Sequence, residues 1–422
     1  MPQTGETIRE TPGQSAATTG GRTTSKAGRI ARTLVAVLLG TGLCWQISAA
    51  SVATLAARSS DPRLLAATGS AAHPQAGSIM AQSLLAAGQS APAAALARSI
   101  LLVDPTNDRA MRVLGLATEA LGQRDRGAMI MRQAAALGWR DTPTQLWVLR
   151  DAVMRDDYVT VIQRADALAR RNRSGELTQP LFRAAITEPH LRGALADSLG
   201  DKPMWRGAFF ADIRQNLPAT STAGMEALFR DMKARGQTIG PIEWLSYAER
   251  LIDLGQFQRA RQVWASAFKV AASRLSTIPY DGNFALAAAR PNDAPTSRFE
   301  WVFNPDLAMT FAEGPGGSSL TIPTDIAGGT PLASQVVILP AGEHTLTARI
   351  DGSPSAAAAG WTITCLPSKQ ILPRRLARGA SDELSSVTFD VPGDGCGAQQ
   401  LALMTRDRLD AQSVTIGDVR IR

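Results

Sequence analysis

The chain has 422 residues, of which 45% are hydrophobic and 19% charged, with 36 glycines and 24 prolines. That balance excludes a wholly disordered chain, a collagen and a polytopic membrane protein, and the length calls for two to three domains. The net charge of +7 and the pI near 9.8 invite a nucleic-acid reading. The basic residues form no long run and aromatics do not interleave with them, so no nucleic-acid partner is expected. Three histidines, His73, His190 and His344, weigh against a multi-histidine metal enzyme.

Residues 1–32 are rich in Thr, Gly and Ser and carry Arg9, Arg22, Lys26, Arg29 and Arg32 against Glu6 and Glu10. A disordered tail is expected there. From Thr33 to Ala57 no charged residue occurs. As a helix this stretch reaches about 37 Å at about 1.5 Å per residue, enough for a roughly 30 Å hydrocarbon core. Lys26, Arg29 and Arg32 precede it, whereas Arg58, Asp61 and Arg63 nearly balance after it. The expectation is a transmembrane helix over 33–57 in a bacterial inner membrane, N-terminus cytoplasmic and bulk periplasmic. The rival is a cleaved signal peptide ending near Ser48-Ala49-Ala50, which would need all of residues 1–32 as its charged leader. Residues 58–73 read as a linker of small residues.

Between 74 and 275 the apolar pattern is helical, punctuated by Gly and Pro. Gly88, Gly122 and Asp156 recur at intervals of 34 residues, each between two helical stretches. Such a period signals stacked helix pairs. Leu114-Gly115, Leu121-Gly122, Ala128 and Ala134 form one copy. Trp244, Tyr247-Ala248, Leu254-Gly255, Phe257, Ala260, Trp264 and Ala267 form another. In these positions the chain resembles the tetratricopeptide repeat family, with the register poor between Glu176 and Gly240. The resemblance implies a helical solenoid that binds partner proteins on the face built by the first helix of each pair. Mapped by repeat position, that groove comprises Gln82, Arg109, Arg112, Leu116, Glu119 and Arg150, beside Leu85, Leu146 and Val153.

Past Tyr280 the period changes to two, with Gly, Pro, Asn and Asp at the turns. Phe299, Trp301 and Phe303 alternate onto one face, then Val337 and Leu339, Trp361 and Ile363, Val387 and Phe389, and Val414 and Ile416. A shift of phase near Gly417-Asp418 predicts a bulge. An antiparallel β-sandwich is expected over 276–422. Cys365 and Cys396 form an even pair in an exported domain and read as a disulfide, with two buried thiols as the alternative. Cys44 is an apolar filler in the membrane segment.

Tyr280-Asp-Gly-Asn-Phe284, the following Trp301 strand and the closing Val414–Ile421 strand resemble carbohydrate-binding jelly-roll modules. Trp361–Cys365 with Cys396–Leu401 is similar to the version appended to repeat proteins of bacterial envelopes. That resemblance implies glycan contact through an exposed aromatic, for which Tyr280 is the candidate, since Trp301 and Trp361 fall in phase with core residues. Such modules often hold a structural calcium near the two chain ends, where Asp281 and Asp418 are the carboxylates, but two carboxylates alone do not make a site.

No phosphate-binding loop, dinucleotide fingerprint, nucleophile elbow or zinc-protease motif occurs. The expectation is therefore a non-catalytic protein without cofactor or metal. Its fold is multidomain α + β: one transmembrane helix, a TPR-like α-solenoid over 74–275, and a jelly-roll sandwich over 276–422. Its expected function is that of a membrane-anchored scaffold for envelope proteins in exopolysaccharide assembly or export. The alternative is a polysaccharide-binding protein acting through the sandwich, and a glycan-processing enzyme ranks third.

Overall fold

A computed structural model describes residues 26–59, 73–171, 175–291, 294–314, 317–323, 325–351, 359–378, 380, 384–406 and 414–422. They fall into two compact units, Met1–Thr144 and Gln145–Arg422. Of the tail expected over 1–32, residues 1–25 lie outside the described residues and 26–32 are helical instead; the side chains of 26–39 and 56–57 and most of the expected linker also lie outside.

In the first unit a long helix α1 (Lys26–Ser59) precedes α2 (Pro74–Ala86), α3 (Ser90–Val103), α4 (Asp108–Ala120) and α5 (Arg124–Leu137). Each of α2 to α5 packs on the next, and α2 also meets α4. The core is built from small side chains, Ala81, Ala93, Ala94, Ala97, Val113 and Ala117, because the helices approach closely. Gly115 and Gly127 make that approach sharpest: a Cβ on Gly127 would sit 2.8 Å from the Glu119 backbone nitrogen. Asn107 caps α4 by accepting from Ala110 N–H at 3.0 Å.

The positions spaced 34 apart do what that spacing predicts. Gly88, Gly122 and Asp156 have φ of +77°, +87° and +52°, the left-handed conformation that ends a helix. The next N–H then reaches back to close the turn, Gln89 to Leu84 O at 2.9 Å and Gln123 to Thr118 O at 3.1 Å.

The second unit opens with α6 (Thr142–Met154) and continues through α7 (Tyr158–Arg170), α8 (Gly175–Thr187), α9 (Pro189–Gly200), α10 (Arg206–Asn216), α11 (Thr222–Ala234), α12 (Pro241–Asp253) and α13 (Phe257–Ala267), with a short α14 (Ala272–Leu275). Its packing differs from the first unit. Contacts at one remove, α7 on α9, α9 on α11 and α10 on α12, are as prominent as those between neighbours, and the core is rich in aromatic side chains. Phe182 stacks on Trp205 at 4.3 Å between centroids, and Phe209, Phe210 and Phe229 extend the series. The poor repeat register in this stretch reflects that substitution of aromatic packing for close approach.

Arginines join helices about one repeat apart. Arg192 pairs with Asp231 at 2.9 Å, Arg235 with Asp197 at 2.7 Å and Arg183 with Asp212. These pairs tie helices of the array to one another.

After the short α15 (Ala285–Ala289) come ten strands among the described residues: β1 (Val302–Phe303), β2 (Thr310–Gly314), β3 (Gly317–Ile322), β4 (Pro331–Val337), β5 (Gly342–Asp351), β6 (Ala359–Pro367), β7 (Arg374–Leu376), β8 (Ser386–Val391), β9 (Cys396–Thr405) and β10 (Val414–Ile421). They form two antiparallel sheets, β1-β4-β9-β6 and β2-β3-β10-β5-β8-β7, whose inner faces share one core that includes Trp301, Trp361, Leu346, Phe389 and Leu401. The register of β10 shifts between Gly417 and Arg420, with Asp418 at φ +50°. The bulge expected there is present.

Where β3 ends, another segment takes its place beside β10. Val419 N–H donates to Gly282 O at 2.9 Å and Ile421 N–H to Ile278 O at 2.7 Å. Residue 282 must be glycine for this contact, since a Cβ there would lie 2.1 Å from Val419 O.

The sandwich and the last helices share a core although the pattern period changes between them. Phe299, Val336 and Ala398 pack with Trp264 and Phe257. This corrects one expectation: Phe299 and Trp301 do not share a face. Phe299 turns to Trp264 of α13, and Trp301 enters the sandwich core against Phe284. A two-residue strand is too short to impose strict alternation on the residues ahead of it.

Candidate functional site

The expected groove residues take different roles. Arg112 is only 5% exposed, its guanidinium paired with Asp141 and donating to Gln82 Oε1 at 3.0 Å. The Thr144 hydroxyl holds Asp141 from the other side. Arg112 is therefore a clamp between α4, α2 and the turn before α6, and an open contact only through its partner Gln82, which is exposed. Leu116 and Glu119 are half-buried, and the Glu119 stem packs against Gly127.

Arg109 is half-buried at the start of α4 and lines a cleft of about 560 Å³ with Thr54 and Arg58 of α1 and Gln75 of α2. Arg150 is exposed in the second unit. On α1, Leu43, Trp45, Ile47, Val52 and Leu55 are all exposed, Trp45 at 77%. The end of that helix docks through Ala53 onto Ala76 of α2. The expected span over 33–57 falls partly on residues whose side chains lie outside the described set. Among the described residues no helix is long and apolar enough to cross a membrane.

In the sandwich, Cys365 and Cys396 are joined as a disulfide across β6 and β9, with Cα atoms 4.8 Å apart. Tyr280 is half-buried instead of exposed: its ring lies edge-on to Trp264 at 5.0 Å, and its carbonyl accepts from Gln335 Nε2 at 2.8 Å. Burial pushes its phenol upward, and a hydrogen bond with Arg274 draws it partly back. Its ring is part of the seam between helices and sandwich, unavailable for flat stacking on a sugar.

The two carboxylates expected to hold calcium are engaged otherwise. Asp281 accepts from the N–H groups of Leu286 at 3.0 Å and Ala287 at 2.8 Å, capping α15. Burial holds its carboxyl above the usual range despite those two donors. Asp418 accepts from Arg420 at 3.2 Å and Arg349 at 3.5 Å. Among the described residues no group of three or more metal-ligating side chains gathers.

Asp281 and Asp418 nevertheless line one cleft of about 600 Å³, between the stretch from Ser273 to Leu286 and the second half of β10. Arg274, Asn283, Arg420 and Arg422 share its polar lining with the hydroxyls of Ser273, Ser276 and Thr277. The sequence marks Asp281 and Asp418 within the opening and closing segments of the module but not the cleft they share, which exists because residues 278–282 pair with a strand some 140 positions away.

No protein-family model and no curated protein matches this chain. Among solved structures, a protein of Bacteroides thetaiotaomicron described as a candidate sugar-binding protein is similar at 14% identity and a TM-score of 0.21, over 31% of this chain and 89% of its own. A likeness of that size says nothing of what this chain binds.

Proposed function

We propose that the chain is a membrane-tethered scaffold of the bacterial envelope, its helical repeats holding partner proteins of polysaccharide assembly or export in the periplasm. The observation that carries this reading is α1. Five large apolar side chains between Leu43 and Leu55 stand exposed, while the end of the same helix is docked on the first repeat helix through Ala53. Exposed apolar surface of that extent marks an interface with membrane or protein. Lys26, Arg29 and Arg32 occupy the first turns of this helix, ahead of its uncharged stretch, and the disulfide suits an oxidising compartment. Stacked helix pairs offer extended surface for peptides.

The test is a photo-crosslinker placed at Arg109 or Arg150 in intact cells, with protease added to spheroplasts. The reading expects discrete envelope proteins captured, lost on Arg109→Glu or Arg150→Glu, and a protease-sensitive sandwich. Capture of abundant bystanders alone, or a sandwich shielded from protease, overturns it.

A second reading, glycan binding through the sandwich, is favoured by the cleft bounded by Asp281 and Asp418, whose lining is rich in planar polar groups.

A further inference from the structure

We propose that the cleft between the stretch from Ser273 to Leu286 and the end of β10 binds a neutral, hydroxyl-rich saccharide chain. The proposal rests on the glycan reading just given and adds the site and the class of ligand. A volume of about 600 Å³ is ample for a few sugar rings and sits within the ordinary range of ligand clefts.

The lining decides the chemistry. Arg274, Arg420 and Arg422 supply forked donors, Asp281 and Asp418 supply acceptors, and Asn283 supplies both. Neighbouring hydroxyls of a sugar ring each donate and accept, so a wall that mixes guanidinium and carboxylate can engage them in pairs. A polyanion would instead require a cleft of one sign, and here three cations face two carboxylates. Ile278, Pro279, Leu286 and Val419 give the cleft an apolar share as well, which suits the C–H faces of a sugar ring. No residue lining the cleft is aromatic, so ring stacking is not the mode of recognition, consistent with Tyr280 being turned into the seam.

The polar groups are also held in place before any ligand arrives. Asp418 is fixed by Arg420 at 3.2 Å and Arg349 at 3.5 Å, and Asp281 by two backbone donors, with lone pairs remaining on both carboxylates. The cleft wall itself is tied to β10 by the Gly282 and Ile278 carbonyls. Little ordering is left to oppose binding.

The experiment titrates the full-length chain in detergent micelles with neutral β-1,4-, β-1,3- and α-1,6-linked glucohexaoses, and with hexagalacturonate as the acidic counterpart. Binding of a neutral hexaose that weakens by about tenfold in Asp418→Asn and in Arg422→Gln, with melting curves unchanged, is the expected result. Asparagine tolerates the left-handed conformation at 418, and Arg274→Gln on the exposed α14 is the second variant should either misfold. A hexaose that binds equally well to all variants overturns the site while the glycan reading stands. Binding of hexagalacturonate alone, with steep salt dependence, overturns the ligand class. No binding of any hexasaccharide overturns both, leaving the scaffold reading to its own test.

Discussion

Arg298, four residues ahead of the first strand, is hooked onto Glu249 of α12. Its backbone N–H donates to Glu249 Oε1 at 2.8 Å, its Nη2 to the Glu249 carbonyl at 2.9 Å, and its Nε to Glu249 Oε2. Asp253 accepts from the same guanidinium at 2.7 Å. Burial disfavours the charged guanidinium, but Glu249 and Asp253 outweigh it and hold its pKa above the ordinary value. The Ser297 hydroxyl donates to Glu249 as well, at 3.3 Å. Helices and sandwich are thus joined by a buried ion pair inside a shared apolar seam, which makes their relative orientation a fixed property of the second unit.

Removing Arg298 leaves Glu249, only 7% exposed, short of its main partner. Arg298→Ala is expected to destabilise the second unit by about 2 kcal/mol, because Glu249 loses its closest cation and keeps Arg214 at 3.6 Å. A double-mutant cycle with Glu249→Gln, read from denaturant midpoints, should show strong coupling. Additive losses would mean that the pair does not join the two layers.

The two arginines at the start of α4 should separate cleanly. Arg112→Leu strands Asp141 in a largely buried position and is expected to cost the first unit about 3 kcal/mol. Arg109→Glu should leave the thermal transition of that unit where it is. Equal melting of both variants would contradict the clamp assigned to Arg112.

The disulfide closes a separation of 31 residues between adjacent strands. Chain-entropy reasoning gives it about 3–4 kcal/mol. Reductant, or Cys365→Ala with Cys396→Ala, should lower the stability of the sandwich by that amount and leave the first unit unaffected. Two free thiols in protein denatured without reductant would remove the basis of the prediction.

Two carboxylates should respond to pH with opposite sign. Asp281 is raised above its ordinary 3.8 by burial, so the folded state holds its proton longer than the unfolded state does. Stability from this group is greatest below the unfolded value and falls as pH rises through the folded one. Glu226 is lowered from 4.5 chiefly by its hydrogen bond with Arg259. Its contribution is present above 4.5 and is lost as pH falls through the folded value. Denaturant midpoints between pH 3 and 7 for Asp281→Asn and Glu226→Gln should change slope in opposite directions relative to the unmodified chain. Parallel profiles would refute both assignments.

Much of this architecture can be read without coordinates because it is local. A helix end needs a left-handed residue, so glycine at 88 and 122 marks the repeat by itself. A strand with one buried face needs alternation, so Val387 and Phe389 or Val414 and Ile416 announce their sheet. The phase slip at Gly417 likewise shows in the sequence, since a bulge changes which side chains point inward. Two cysteines in a segment of strands imply their own pairing once an oxidising compartment is assumed.

Tertiary structure alone decided which polar groups became structural and which stayed open. Arg109 and Arg112 look alike in sequence, yet one lines a cleft and the other is buried against Asp141, because burial depends on helices brought together across 29 intervening steps. Phe299 and Trp301 have the same period and enter different cores, since only the docking of α13 supplies a second apolar surface. The polar cleft shows in the sequence only as its two marked segments, Tyr280–Phe284 and Val414–Ile421, and not as the space between them. It forms where a segment before the sandwich replaces a finished strand beside β10, and long-range backbone pairing of that kind leaves a glycine at 282 as its sole local requirement.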